Sequence, residues 1–168
     1  MHKVFLFGSR ALGVIPDVIQ NHISEIIKQT NGDVEFIIGD AGGVDSGFHQ
    51  TLSALGGRRM TKVYCMDNPR NNKFDLETYI FKTTYDLDKK EIKIYDPSGI
   101  ELDSIDGVLK AEDIKNTRQY YEFKDKQMCR DCTFAICYWD GQSKGTLRNI
   151  DRLKAQDKYV YVYTAQIG

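Results

Sequence analysis

The chain carries three glycine-bearing turns, each directly after an apolar run: GSRALG at 8–13 after VFLF, GDAGGVD at 39–45 after VEFII, and DGQSKGT at 140–146 after TFAICYW. An apolar run without polar alternation is a strand buried on both faces, as in a parallel sheet covered by helices. A glycine at its end lets the backbone turn sharply into a helix. Such a turn presents backbone N–H groups and the positive end of a helix, a natural seat for phosphate or another anion. Three of them in one short chain predict alternating strands and helices whose turns meet in one nucleotide-sized site.

The flanking periodicity agrees. Residues 3–7 predict a first strand, and Pro16 opens a helix with Val18, Ile19, His22, Ile23, Ile26 and Ile27 along one stripe, ended by Asn31-Gly32. Residues 34–38 predict a second strand, Val44 to Leu55 a second helix before Gly56-Gly57, and 62–66 a third strand. The rhythm breaks at 67–116, where DNPRNN reads as a loop and TYIFKTTYDL and EIKIYDPSGIEL as alternating strands, the latter turning at Asp96-Pro97-Ser98-Gly99. It resumes with a helix from about Thr117 to Arg130, a strand at 133–139, a helix from about Lys144 and a last strand at 159–163. The expected fold is α/β: a Rossmann-like, doubly wound, mainly parallel five-stranded sheet of order 3-2-1-4-5 with a β-hairpin insert. That order sets the ends of the first and fourth strands side by side, where open α/β sheets bind ligands. The 168 residues fit one domain, the insert being too short to bury a core of its own.

A net charge of −1 gives no general attraction to nucleic acid or anionic membrane, so neither is an expected partner. No run has the length of a transmembrane helix, the N-terminal apolar stretch is too short for a signal peptide, and a cytoplasmic location is the expectation. Cys129 and Cys132 have the spacing of half a zinc site, but no second pair accompanies them and the histidines lie far away in sequence. Cys65 and Cys137 sit in apolar strands. All four read as reduced structural thiols, and neither a metal nor a cofactor is expected.

In the first turn Gly8 permits close approach of a ligand, the Ser9 hydroxyl can donate, and Arg10 can grip a phosphate through two hydrogen bonds. The spacing matches neither the dinucleotide fingerprint nor the Lys-Ser/Thr phosphate loop. In the second turn Gly39, Gly42 and Gly43 leave bare backbone for a sugar, and Asp40 or Asp45 can hold its hydroxyls, although Asp45 can equally cap its helix. His49 either lines the pocket or packs against the sheet. In the third turn Gly141, Ser143, Lys144, Gly145 and Thr146 surround a helix start with donors, and Trp139 either stacks on a base or caps the core. Asp140 is suited to sugar hydroxyls or water rather than phosphate.

Together GSR, GDAGGVDSGFHQ and WDGQSKGTLRNI, with Lys124-Asp125 and Met128 ahead of the fourth strand, resemble the Smf/DprA–LOG (SLOG) superfamily, especially its YspA/YpsA-related branch. The likeness covers about 1–66 and 117–165. It implies a Rossmann-like domain for nucleotides or nucleotide-derived ligands, and a homodimer or larger assembly. Relatives include phosphoribohydrolases that cleave the N-glycosidic bond of nucleoside monophosphates, sensors of ADP-ribose-like signals, and a binder of single-stranded DNA. The hydrolases carry P-G-G-x-G-T-x-x-E, and Asn149 stands here in place of that glutamate. An amide cannot supply its charge.

Two functions follow as expectations. The first is a sensor or sequestering module for a nucleoside monophosphate or an ADP-ribose-type molecule. The second is an N-glycosidase with a relocated acid, Asp45 or else Asp140. Single-stranded DNA binding through the tyrosine-rich segments is a weaker third, opposed by the acidic balance.

Overall fold

The computed structural model describes residues 1–86, 88, 91–102 and 118–165. Strands β1 (His2–Gly8), β2 (Val34–Ile38) and β3 (Thr61–Met66) alternate with helices α1 (Asp17–Gln29) and α2 (Val44–Ala54). Three further strands follow, β4 (Glu77–Asp86), β5 (Glu91–Tyr95) and β6 (Glu101–Leu102). The alternation then resumes through α3 (Arg118–Asp131), β7 (Phe134–Trp139), α4 (Lys144–Ala155) and β8 (Val160–Thr164). The expected core elements are all present, displaced by a residue or two at their ends. The insert expected at 67–116 continues beyond Leu102 into residues outside those described, as does Thr117.

Among the described residues the sheet has eight strands, ordered β6-β5-β4-β3-β2-β1-β7-β8, and not the five expected. Its β3-β2-β1-β7-β8 portion is parallel and reproduces the predicted order 3-2-1-4-5. The correction lies in the insert, whose strands extend the sheet beyond β3. β4 pairs in parallel with β3 from Lys62↔Glu77 to Met66↔Phe81, and β4-β5-β6 then run as an antiparallel meander. The physical reason is aromatic. Tyr79 stacks on Tyr64 with centroids 4.5 Å apart, and Phe81 packs against both, so the first half of β4 buries its rings on the β3 edge.

Alternation along each strand divides the core between two faces. Phe5, Phe7, Ile37, Tyr64 and Phe81 face α3 and α4, meeting Phe123, Met128, Ile150 and Leu153. Val4, Leu6, Phe36, Ile38 and Ile136 face the other way, against Ile19 and Ile23 of α1 and Phe48 and Leu52 of α2. Each such side chain contributes roughly 2 kcal/mol by leaving water. Among the described residues no helix is long and apolar enough to cross a membrane.

The glycine turns are tied to one another. β1 and β7 pair up to Gly8↔Tyr138, and the Ser9 N–H extends that ladder by donating to the Tyr138 carbonyl at 3.1 Å. The Asp140 N–H donates to Ser9 Oγ at 3.0 Å, joining the first turn to the third. Gly43, at φ +70°, lies so close to the first turn that a Cβ there would be 2.2 Å from the Arg10 carbonyl oxygen. No side chain fits. Gly43→Ala is therefore expected to lower stability by about 2–4 kcal/mol, measured by urea denaturation; a loss below about 0.5 kcal/mol would show that the two turns are not locked.

Candidate functional site

The ends of β1, β2 and β7 and the helices α3 and α4 enclose a cavity of about 590 Å³, within the range typical of small-molecule sites. Phe5, Phe7 and Met128 supply its apolar lining. From the first turn come Gly8 and Arg10, from the second Gly39, Gly42 and Asp45, and from the third Asp140, Ser143, Gly145 and Thr146. The three turns thus share one space, as their order along the chain predicts.

Six of the expected residues lie outside the lining: Ser9, Asp40, Gly43, Trp139, Gly141 and Lys144. Ser9 is fully buried as the link between turns. Asp40 is 1% exposed, and its carboxylate accepts from Arg70, at 2.8 Å from the backbone N–H and at 3.1 and 2.8 Å from Nε and an Nη. Trp139 packs against the core on the α3–α4 side and its indole donates to the Ser143 carbonyl at 3.1 Å, so it holds the loop. Lys144 and Gly141 are exposed. His49 is buried beneath the second turn, its Nε2 donating to the Gly39 carbonyl at 2.9 Å. Its packing role prevails over pocket lining.

The third turn is built around Asp140. Its Oδ1 accepts from the Gln142 and Ser143 N–H groups at 2.9 and 2.8 Å. These bonds, that to Ser143 foremost, hold its pKa below the ordinary carboxylate value. Asp140 is thereby an ionised loop anchor. Ser143, at the N-cap of α4, makes no side-chain capping bond, while Thr146 Oγ1 donates to Ser143 Oγ at 3.1 Å. The first turn of α4 enters the cavity wall with no acidic residue of its own, the Asp140 carboxylate being bound to the N-cap amide that precedes it.

Asp45 and Lys124 meet at Gly39. A Cβ on Gly39 would lie 2.6 Å from Asp45 Oδ2 and 3.0 Å from Lys124 Nζ, so any larger residue would have to displace these side-chain ends. Asp45 Oδ2 also accepts from the Ala41 N–H at 3.0 Å. Burial pushes the Asp45 carboxyl up to about 6, against the opposing pull of Lys124 and the Ala41 N–H. Lys124 is buried and pairs with Asp125 at 3.0 Å. Burial alone would lower its pKa, but Asp125, Asp45 and Asp40 outweigh it and the ammonium titrates above its usual value. The cavity thus holds a fixed cation beside an acid that titrates near neutrality.

Cavity residues the sequence reading did not single out are Arg70, Arg118, Tyr121, Glu122 and Arg148. Glu122 gathers cations: Arg148 lies 2.8 Å, Arg118 3.2 Å and Arg152 3.4 Å from its carboxylate. A signal was available, because Arg118, Tyr121, Glu122 and Asp125 fall at i, i+3, i+4 and i+7 and so mark one polar face of α3. Lys124, Asp125 and Met128, which the superfamily resemblance picks out, do line the cavity. Asn149 lines it as well, its Oδ1 accepting from Arg152 at 2.7 Å.

All four cysteines are buried and unpaired. Burial pushes Cys65 and Cys129 up to about 12 and Cys132 to about 11, the behaviour of unreactive thiols. Among the described residues no group of three His, Cys, Asp or Glu side chains is arranged to hold a metal ion.

No family model matches the sequence, and no curated protein matches it. Among solved structures, the fold is similar to that of DNA processing protein A (DprA) from Streptococcus pneumoniae, with a TM-score of 0.57 and 16% identity over 99% of this chain. The chain has a DprA-like Rossmann fold. At this identity the likeness is one of architecture. The chain spans about half, 52%, of the DprA chain it matches.

The Asp45 environment has a consequence for stability. A carboxyl whose folded pKa of about 6 exceeds its ordinary value of 3.8 binds its proton more tightly when folded. Its ionisation therefore costs stability as pH rises between these values, and the cost is complete above the higher one. Asp45→Asn, which cannot ionise, is expected to stabilise the protein by about 2 kcal/mol at pH 7.5. The gain should shrink through pH 6 and vanish below pH 4, as followed by chemical denaturation across pH. Equal stability of the two proteins at pH 7.5 would contradict the assigned environment.

Proposed function

We propose that this chain binds a nucleotide or nucleotide-derived ligand, of the nucleoside monophosphate or ADP-ribose type, at the carboxyl rim of its sheet, as a sensor or sequestering module. One observation carries the reading: the first turn of α4 and Arg10 border the same cavity. Arg10 makes no ion pair or side-chain hydrogen bond among the described residues, so its guanidinium is available to a phosphate, unlike those of Arg70, Arg118 and Arg148. The Gly145 and Thr146 amides at the helix start would hold the same group. Gly39 and Gly42 leave backbone open to the sugar, and Asp45, rather than the sequestered Asp40, would meet its hydroxyls. Lys144 has no part in this assignment.

A second reading, an N-glycosidase, draws on Asp45 alone. A carboxyl titrating near 6 beside a buried ammonium has the proton affinity a general acid needs near neutral pH. Asp140 suits this role less well, because its bonds to the turn hold its carboxyl below the ordinary range and keep it ionised. The DNA-processing name of the structural relative is not carried over, since the net charge of −1 and a cavity of small-molecule size favour a small ligand.

Titration calorimetry with nucleoside monophosphates, ADP-ribose and NAD tests the reading. Arg10→Ala is expected to weaken the best of these ligands about tenfold or more, whereas Lys144→Ala leaves its affinity within about twofold. Unchanged affinity in Arg10→Ala would remove the proposed phosphate seat. Release of free base from any of these ligands, abolished in Asp45→Asn, would establish the enzymatic reading in place of the sensor.

A further inference from the structure

A nucleotide needs a seat for its base as well as for its phosphate. Trp139 is committed to the Ser143 carbonyl and lies outside the lining. Phe5 and Phe7 line the cavity but are 1% and 4% exposed and stack on each other, which leaves no broad aromatic face. The remaining aromatic ring in the cavity wall is that of Tyr121, and Arg70 lies beside it. The Arg70 Cζ lies 3.9 Å from the Tyr121 ring centroid, so the guanidinium already sits over the phenol ring.

Building on the nucleotide reading, we infer that the Arg70–Tyr121 pair is the base subsite of the cavity, a platform on which the flat ring of a nucleobase lies. The pair is preorganised. The Arg70 backbone N–H, Nε and one Nη all donate to the Asp40 carboxylate, and Asn71 Nδ2 donates to the Asp40 carbonyl at 3.1 Å, clamping the loop. Two consequences follow from that clamp. The guanidinium plane is fixed before any ligand arrives, which lowers the ordering cost of stacking. Its charge is also met by a carboxylate that is 1% exposed, so it offers a face to a base rather than a free cation to a phosphate. Base stacking on aromatic and guanidinium planes tolerates every base, so the platform selects for a base without choosing among the four. Asp40, placed among the sugar-binding candidates by sequence, acts here as the positioning residue for Arg70.

The test compares ligands that differ in the base alone. Calorimetry is run with ribose 5-phosphate and with AMP, GMP, CMP and UMP on the full chain, Arg70→Lys, Tyr121→Ala and Tyr121→Trp. Arg70→Lys keeps a cation beside Asp40 while removing the plane, and circular dichroism checks that each variant is folded. The unaltered chain is expected to bind its best nucleotide at least about tenfold more tightly than ribose 5-phosphate. Arg70→Lys and Tyr121→Ala should remove that margin while leaving ribose 5-phosphate affinity within about twofold, and Tyr121→Trp should restore it. Indole fluorescence of Tyr121→Trp, with Trp139 as the background, should be quenched by the nucleotide and not by the sugar phosphate. Equal loss of both ligands in folded variants, or no loss of either, would overturn the base subsite. If the unaltered chain binds ribose 5-phosphate as tightly as every nucleotide, the subsite fails while the phosphate seat stands. Should it bind none of these ligands, nor ADP-ribose or NAD, the nucleotide reading falls and takes the subsite with it.

Discussion

The structure depends on the parallel pairing of β2, β1 and β7, which delivers three glycine turns to one rim in contact with each other. The ladder ends at Gly8↔Tyr138, and one buried hydroxyl, that of Ser9, carries it across to the Asp140 amide. On the other side Gly43 has no Cβ to keep the second turn away from the first. A shift in any one turn would be transmitted to its neighbours, because tightly packed backbone has no slack to absorb it. The cavity's shape is therefore set by backbone geometry before any side chain is considered.

Charge is arranged around that frame by pairing. Asp40 holds Arg70, Asp125 pairs with the buried Lys124, and Glu122 draws together Arg118, Arg148 and Arg152. Breaking one partner of a buried pair leaves an uncompensated charge, which costs far more than the pair contributes. These groups consequently behave as parts of the scaffold. What they leave unpaired is selective: Arg10, and the amide end of α4 seen through Gly145 and Thr146. Both are suited to an anion, and both lie at the turns that the sheet order brings together.

Much of this was legible in the sequence, for reasons that differ element by element. The buried strands, having no polar alternation, and the glycines after them fixed the 3-2-1-4-5 portion and the rim. Alternation in TYIFKTTYD identifies a strand but not its neighbour, so the parallel docking of β4 on β3 was hidden in the contact of Tyr79 and Phe81 with Tyr64. Asp40 and Asp45 occupy one turn and look equivalent. Arg70, thirty positions after Asp40, and Lys124 on α3 make one a structural anchor and the other a titrating acid. Trp139 was similarly undecided until its indole found the Ser143 carbonyl. Side chains whose partners lie far along the chain are beyond local pattern, while backbone turns are not.

The central claim, that the three turns form one ligand site, is tested most directly by following backbone amide resonances of the isotope-labelled chain during titration with its best nucleotide. The account predicts that the amides of Arg10, Gly42 and Gly145 shift together along curves described by a single dissociation constant. Shifts confined to one turn, or turns that titrate with different constants, would contradict it.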